Sequence, residues 1–390
     1  MLITRRKALT HSALFTLGVL MGCTQPKSAA SSDKVNNAEG AIQKGHRQAN
    51  TTSWMMPEEA DPHKRTWMAF GASAAIWGRD LLPEVQRNLA TLANTIAQYE
   101  PVTMLVRDRD YNLAQSMVDN NVELVVSPLD DLWIRDTGPI FVRGGAGQKA
   151  AVNFNFNGWG EKQTYVQDAK VADFVAELAQ VESLSTDLVL EGGCIEVDGH
   201  GTAIITESCT LNNNRNPGMA KAEFEERLMP LLGLEKIIWL PGIRGRDITD
   251  GHTDFYARFA RPGVVLAGYD PDPDSYDHPI TLRHLEMLRA AIDARGNSLE
   301  VIPLESPFDV REEYLTEDFA AGYIGYYVCN GAVIMQEFGD ARTDAAAKDA
   351  LQRAYPDRVI EQLAIDGIAA GGGSIHCATQ QEVAISAGTA

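Results

Sequence analysis

The chain has 390 residues, of which 45% are hydrophobic and 22% charged, so it can bury one large core or two ordinary ones. Its 34 basic and 53 acidic residues give a formal net charge of -19, and no basic stripe suits a phosphate backbone. Composition therefore argues against nucleic acid as a partner. An acidic surface of this kind serves solubility first, and it also suits a cationic ligand.

The first 23 residues have the pattern of an export signal. Arg5 and Arg6 precede the apolar run SALFTLGVLMGC, which is too short for a permanent membrane span. The basic pair resembles a twin-arginine export motif, and LMGC at 20–23 resembles a bacterial lipobox. We therefore expect an exported, periplasmic or membrane-anchored bacterial protein that is lipidated at Cys23 and has no other membrane contact. The alternative is an ordinary cleaved signal with an incidental cysteine.

The chain after the signal divides into a tether and one folded domain. Residues 24–52 are small, polar and without periodicity, which is typical of a flexible tether, so we expect the folded domain over residues 53–390. Within the domain, helical periodicity is followed each time by a short apolar strand and a loop. Five such units begin with predicted helices at 109–119, 166–180, 219–232, 280–295 and 344–354.

The regular order of elements indicates an α/β fold with two possible architectures. Five quasi-equivalent units in one domain would bring equivalent loops to a common centre. An ordinary doubly wound parallel sheet would show the same alternation of strands and helices. The pattern alone favours neither.

The four cysteines of the domain are Cys194, Cys209, Cys329 and Cys377. None has the CxxC spacing of a structural zinc site or a redox dithiol, and a core of this size does not require disulfides. We expect mostly free, buried thiols.

Acidic residues recur in the loops that follow the predicted strands, where a rigid scaffold commonly holds catalytic groups. Asp136 in WIRDTGP precedes a tight turn, and its side chain could either hydrogen-bond to the backbone of that turn or be catalytic. Glu191 precedes two glycines in LEGGC. Trp133 could be a core residue or a flat wall for a planar ligand.

The segment TDGHTD contains Asp250, His252 and Asp254 at alternate positions. If the segment is extended, the three side chains share one face. They could hold a metal ion, or His252 could act as a general acid/base beside a carboxylate that binds a cation.

The last loop, GGGSIHCATQQ, contains Cys377 directly after a histidine and three glycines. The glycines would allow the main chain to approach a ligand closely. Adjacent side chains of an extended segment point to opposite faces, so His252 is a better partner for this thiol than His376.

Together, the segments WIRDTGP, EGGCIEVDGHGTAIITESCTLNNNRNPG, DGHTDFYARF and GGGSIHCATQQ resemble the signature segments of the agmatine deiminase family. This family belongs to the guanidine-modifying pentein superfamily. The resemblance runs from about Trp54 to Gln381 and implies a single-domain, five-bladed, pseudo-symmetric α/β propeller. It also implies hydrolysis of a guanidino group through a cysteine thiouronium, without a metal or organic cofactor.

The resemblance assigns a role to each candidate residue. It implies that Cys377 is the nucleophile, that His252 is the acid/base, and that Asp136 and Asp254 grip the guanidinium. Glu191 corresponds to the carboxylate that orients the histidine.

The resemblance makes agmatine the expected substrate, although two positions depart from the family pattern. Ile248 replaces an acidic residue four positions before His252, and Ser374 replaces an asparagine. Asp250 or Asp247 could supply the missing carboxylate. A peptidylarginine or another arginine derivative is the alternative substrate, and a non-catalytic, lipid-anchored guanidinium-binding protein is the alternative function.

Overall fold

The computed structural model describes residues 2–4 and 53–385. The predicted lipobox with Cys23 and the predicted tether lie outside the described residues, as does most of the predicted signal. Among the described residues, no helix has the length and apolar character needed to cross a membrane.

The chain forms short strands and mostly short helices in regular alternation. The strands are β1 (Leu2–Thr4), β2 (His63–Phe70), β3 (Val102–Val106), β4 (Val122–Val126), β5 (Ile140–Arg143), β6 (Lys149–Asn153), β7 (Glu182–Ser185), β8 (Ile195–Val197), β9 (Thr202–Thr206), β10 (Lys236–Leu240), β11 (Ala257–Arg261), β12 (Val264–Tyr269), β13 (Glu300–Glu305), β14 (Asp309–Arg311), β15 (Tyr327–Cys329), β16 (Ala332–Gln336), β17 (Val359–Leu363) and β18 (Gln380–Val383). The helices are α1 (Ala74–Ile96), α2 (Tyr111–Met117), α3 (Ile134–Thr137), α4 (Gly158–Glu161), α5 (Val171–Ala179), α6 (Glu207–Thr210), α7 (Lys221–Leu232), α8 (His278–Ala290), α9 (Ala341–Ala354) and α10 (Asp366–Ala369). Helix α1 is kinked at Gly78, which has a positive φ of 70°.

Five sheets repeat one connection pattern. In each, an inner strand pairs antiparallel with a middle strand, and a helix then leads to an outer strand that pairs parallel with the middle one. The sheets are β18-β2-β3-β4, β5-β6-β7, β8-β9-β10, β11-β12-β13 and β15-β16-β17, and β1 pairs with β14 apart from them. The chain is therefore a five-bladed α/β propeller, as the resemblance implied, and the doubly wound sheet is the wrong alternative.

The predicted elements are confirmed with small shifts of their ends, and two details differ. Helices α1 and α2 both belong to the first sheet, which has one strand more than the others. The apolar LVL at 188–190 is not the strand that its composition suggests. Strand β7 lies just before it, and Leu188 and Leu190 are buried in the connection.

Strand β18 closes the propeller, because it comes from the end of the domain and pairs with β2 at its beginning. Gln380 lies opposite Trp67 in this antiparallel pair. Helix α1 packs on this sheet through Leu89, Leu92 and Ile96, which are all fully buried at helical spacing.

A buried carboxylate joins the blades at their centre. Glu59, which precedes β2, accepts hydrogen bonds from Arg135 Nη2 at 2.9 Å and from Arg258 Nη2 at 2.8 Å. It also lies 2.9 Å from His376 Nε2 and accepts the backbone N–H of Val328 at 2.8 Å. These four partners come from four different connections or strands, so Glu59 fixes their relative positions.

We predict that Glu59→Gln lowers the free energy of unfolding by about 3–5 kcal/mol, because it removes the counter-charge of buried Arg135 and one of the two carboxylates that bind Arg258. Urea denaturation of the purified protein measures this change. The matched control is Glu123→Gln, which breaks an ion pair with Arg65 in which the glutamate side chain is 61% exposed. It should cost about 1 kcal/mol or less. Equal losses in the two variants would contradict the role of Glu59.

Candidate active site

The candidate residues lie in the connections that lead into the inner strands. Asp136 lies in α3 ahead of β5, and Glu191 directly precedes the turn into β8. His252 precedes a short turn, Thr253–Phe255, that leads into β11, and Cys377 lies just ahead of β18. Because inner strands of a propeller surround its axis, equivalent connections of four blades bring these side chains together.

Four of the predicted residues form one buried cluster. His252 Nδ1 lies 3.8 Å from Asp136 Oδ1 and 4.0 Å from Asp254 Oδ1, and Asp254 Oδ2 lies 3.9 Å from Cys377 Sγ. All four residues are buried. The cluster therefore combines a thiol, an imidazole and two carboxylates within hydrogen-bonding reach of one small bound group.

Gly193 makes room for this cluster. A Cβ atom at this position would lie 2.4 Å from His252 Nδ1 and 3.1 Å from both Asp136 Oδ1 and Asp254 Oδ2. Any other residue would thus push its side chain between the imidazole and the two carboxylates. The second glycine of EGGC is needed for space, and not for an unusual backbone conformation.

Glu191 holds the far side of the imidazole. Its Oε2 lies 3.2 Å from His252 Nε2, and Arg215 Nε donates to Oε1 at 2.9 Å. Burial alone would raise the Glu191 pKa, but hydrogen bonds and charges of His252 and Arg215 lower it to about 2. Glu191 is therefore ionised and fixes the orientation of the His252 ring.

The two carboxylates on the other side of His252 have different surroundings. Asp136 accepts hydrogen bonds from Gly193 N at 3.1 Å and Trp159 Nε1 at 2.9 Å, and burial raises its pKa. Asp254 lies 2.7 Å from His376 Nδ1, which outweighs burial and lowers its pKa. Burial lowers the pKa of His252, but the charge of Asp136 raises it well above its ordinary value overall.

Two buried polar atoms of the cluster have no hydrogen-bond partner. These atoms are His252 Nδ1 and Asp254 Oδ1. Unsatisfied buried polar atoms are costly and uncommon in folded proteins, so each one needs an explanation. A bound group with several N–H donors would satisfy the carboxylate oxygen and contact the imidazole.

Cys377 holds its proton in this environment. Burial and the nearby charges of Asp254 and Asp136 raise its pKa, against a hydrogen bond at 3.4 Å with Ser374 Oγ. A cation placed between the two carboxylates would remove most of the charge repulsion. Ionisation of the thiol would then become easier.

Two of the three glycines upstream of Cys377 lie against tryptophan rings. A Cβ atom on Gly371 would lie 2.2 Å from the Trp77 ring, and one on Gly373 would lie 2.2 Å from the Trp133 ring. The two rings pack on each other with centroids 5.6 Å apart. Trp133 is thus a core residue that supports the cysteine loop, and Gly373 leaves room for its ring.

The prediction that Asp250, His252 and Asp254 share one face is wrong. Asp250 has a φ of 63°, so the segment turns at this residue and is not extended. Its Oδ2 accepts hydrogen bonds from Arg215 Nη1 at 2.8 Å and Lys162 Nζ at 2.7 Å. The three side chains therefore do not form a metal triad, and two cations neutralise Asp250.

Another group has the donor atoms of a metal site. Donor atoms of Glu191, Cys194, Cys209 and His252 all lie within 4.8 Å of one another. The two sulfur atoms are only 2.9 Å apart, whereas two thiolates on one tetrahedral zinc ion lie about 3.8 Å apart. Arg215 also places a positive charge on the carboxylate. The geometry fits a thiol pair better than a metal ion.

Several residues around the cluster were not predicted from sequence. His376 was considered only as a base, but its two nitrogens bind Asp254 and Glu59. Glu59, Trp159 and Arg215 reach the site from distant parts of the chain. No local motif marks Glu59 or Trp159, because their importance depends on partners far away in sequence. Arg215 lies within the signature segment at 191–218, but nothing in that segment indicates its partner. The four cysteines of the domain are free and buried, as predicted.

Comparisons with known proteins agree with this geometry. The profile of the family of Porphyromonas-type peptidyl-arginine deiminases matches residues 55–382. A Streptomyces coelicolor protein provisionally named agmatine deiminase is 41% identical over 338 residues, which cover 85% of this chain and 99% of the relative. The agmatine deiminase of Pseudomonas aeruginosa is 36% identical over 352 residues, with 84% and 95% coverage.

A solved structure supports the same relationship. The agmatine deiminase of Enterococcus faecalis superimposes with a TM-score of 0.78 at 30% identity, covering 87% of this chain and 99% of that one. The chain therefore belongs to the family of agmatine deiminases and Porphyromonas-type peptidyl-arginine deiminases.

Proposed function

We propose that this protein hydrolyses the guanidino group of agmatine to give N-carbamoylputrescine and ammonia, with Cys377 as the nucleophile. The observation that carries the proposal is the pair of unpartnered buried atoms, His252 Nδ1 and Asp254 Oδ1, beside a buried thiol. A guanidinium is planar, positive and rich in N–H donors, so it satisfies the carboxylate oxygen and offsets the local negative charge.

In the first step, Asp136 and Asp254 hold the guanidinium with its carbon facing Cys377 Sγ. The cation offsets the two carboxylates, so the Cys377 thiol releases its proton to solvent as the substrate binds, and the thiolate forms. Sulfur attacks the guanidino carbon and forms a tetrahedral adduct. Protonated His252 gives its proton to the departing nitrogen, so ammonia leaves and a thiouronium on Cys377 remains.

In the second step, neutral His252 takes a proton from water, and the hydroxide attacks the thiouronium carbon. The carbon–sulfur bond breaks, which releases the urea product and regenerates the thiolate. The proton set free with the carbonyl product converts ammonia to ammonium. Glu191 keeps the imidazole aligned through both steps because it holds Nε2 at 3.2 Å. The scheme needs no metal or organic cofactor.

The surroundings of the site suggest where the far ammonium of agmatine binds. Ile248, at the position where the family pattern has an acid, packs against the core cluster that contains Trp133 and Cys377. Its carbonyl accepts a hydrogen bond from Lys162 Nζ at 2.9 Å, so a cation already lies there. Asp247 instead lines the neighbouring cavity, and we assign it the ammonium.

A second substrate class is favoured by the size of this cavity. It has a volume of about 690 Å³ and reaches Ser374, whose Oγ lies 3.4 Å from Cys377 Sγ. Pockets for ligands much larger than agmatine span about 300–1,000 Å³. The alternative substrate is therefore an arginine derivative or an arginine in a peptide, with its backbone in the cavity.

Export is part of the proposal, and it rests on sequence alone. Arg5, Arg6 and the lipobox at 20–23 support a twin-arginine signal that ends in a lipid on Cys23. An exported enzyme would meet extracellular guanidino compounds, which also suits the alternative substrate class.

We predict that Cys377→Ala lowers ammonia release from agmatine by roughly 10⁴-fold or more, because it removes the nucleophile, while agmatine still binds in calorimetry. Cys329→Ala, which truncates a buried thiol in β15, is the matched control and should retain turnover. Iodoacetamide should inactivate the wild-type enzyme and chelators should not. Binding without turnover in the wild type would instead identify a guanidinium-binding protein.

The charge of Asp247 should contribute to the binding of agmatine. Asp247→Asn should raise the KM for agmatine by about tenfold, the effect of losing one charge-assisted contact of about 1.4 kcal/mol. The KM for butylguanidine, which lacks the ammonium, should not change. The third compound to be assayed, after agmatine and butylguanidine, is an arginine-containing peptide amide. If that peptide has the highest kcat/KM, the substrate is an arginine derivative and agmatine is excluded.

The expected lipid on Cys23 can be detected on the mature amino terminus. Mass spectrometry of protein purified from bacterial membranes should find a diacylglycerol-modified Cys23 as the first residue. Cys23→Ala should release the protein from the membrane fraction. An unmodified terminus at another residue would refute lipidation and leave the deiminase proposal intact.

A further inference from the structure

Two thiols face each other at the open end of the β8–β9 hairpin. Ile195 pairs with Ile205 in this hairpin, which brings Cys194, just before β8, close to Cys209 in α6. Their sulfur atoms are 2.9 Å apart, and both residues are fully buried. Both thiols are free. A disulfide requires an approach to about 2.05 Å, which is a small further movement.

The thiol pair contacts the carboxylate that holds His252. Cys194 Sγ lies 3.2 Å and Cys209 Sγ lies 3.6 Å from Glu191 Oε2. The same oxygen lies 3.2 Å from His252 Nε2. The thiol hydrogens and the imidazole therefore share one acceptor atom.

We propose that Cys194 and Cys209 form a reversible disulfide that changes the acid/base behaviour of His252 and thereby regulates turnover. Whether the Cys194–Cys209 disulfide forms does not depend on whether the protein is a deiminase. Its regulatory effect rests on the proposed function, because it acts through the histidine of that reaction.

The oxidant must be small, because neither sulfur is exposed to solvent. Hydrogen peroxide meets this requirement. Cys209 attacks one peroxide oxygen, the O–O bond breaks, and Cys209 sulfenic acid and water form. Cys194 then attacks the sulfenic sulfur, the S–O bond breaks, and the disulfide and a second water form. In total, the two thiols lose two electrons and two protons, and the peroxide takes up all of them as it becomes two water molecules.

The surroundings of the two sulfur atoms indicate which thiol attacks the peroxide and which completes the disulfide. Burial raises the pKa of each thiol, but the hydrogen bond from Cys194 and the charges of Arg215 and His252 lower that of Cys209 overall. The Cys194 pKa is raised well above its ordinary value. Cys209 is therefore the more acidic of the two thiols and attacks the peroxide, and Cys194 is the thiol that completes the disulfide.

Oxidation removes the thiol donors of Cys194 and Cys209 from Glu191 Oε2, and it also changes the group that Cys209 presents to His252. The charged and titratable groups that face His252 or its partner are Asp136, Asp254, Glu191, Cys209 and Arg215. Cys209 also acts on His252 directly, because its charge and its hydrogen bond raise the pKa of the imidazole by more than the hydrogen bond of Glu191 does. A disulfide carries neither a charge nor a thiol hydrogen, so this contribution is lost and the pKa of His252 falls. A His252 that is less protonated at neutral pH is a poorer acid for the first step.

Peptide mapping tests the bond itself. Cys377→Ala protein is treated with hydrogen peroxide, alkylated and digested after glutamates, which separates the cysteines because Glu196 and Glu207 lie between them. We expect a cross-linked pair of peptides that reducing agent separates. Absence of this pair, or its presence only in unfolded protein, would overturn the proposal. The Cys377→Ala background makes the result independent of turnover.

Kinetics test the regulation. Mild peroxide should lower kcat of the wild-type enzyme at neutral pH and move the alkaline limb of its pH–rate profile to lower pH, and reductant should reverse both changes. Cys194→Ser keeps a hydroxyl donor for Glu191 and should lose the reversible shift. Cys329→Ser should keep it. A shift that persists in Cys194→Ser would assign the effect to oxidation of Cys377, and an unchanged profile in cross-linked enzyme would exclude regulation.

Discussion

The rest of the site depends on the buried carboxylate of Glu59. It accepts hydrogen bonds from Arg135 and Arg258 and lies 2.9 Å from His376. Arg258 also binds Glu196 of β8 at 2.7 Å, so the network reaches the third blade. A propeller has few covalent links between neighbouring blades, and an ion-pair network at its centre fixes their relative positions. Such a network specifies geometry more than it adds stability, because desolvation of its charges is costly.

The same network extends into the reactive cluster. His376 connects Glu59 to Asp254, and Arg135 donates its backbone N–H to the carbonyl of Cys377 at 3.2 Å. A substitution at Glu59 would thus change the positions of Cys377, the proposed nucleophile, and of Asp254, one of the two carboxylates that would hold the substrate. The residue next to the cysteine, His376, is buried to support the site, and does not act as its base.

Local composition and the family resemblance together predicted Cys377, His252 and Asp254 as site residues, and the structure brings them together. The regular order of elements limited the fold to two architectures. Asp250 was misplaced because alternation implies a shared face only in an extended segment, and this residue has a positive φ. Glu59 and Trp159 have no local signal. Their partners lie far away in sequence, and only the folded chain brings them together.

Charge distribution explains why the site selects a cation. Glu191 is balanced by Arg215, and Asp250 by Arg215 and Lys162, so their charges are neutralised within the protein. Asp136 has only dipolar donors and the imidazole, and Asp254 keeps one oxygen without a partner. The free site therefore has an excess of negative charge beside a protonated thiol. A guanidinium would remove that excess, so in the proposed reaction substrate binding and activation of Cys377 are one electrostatic event.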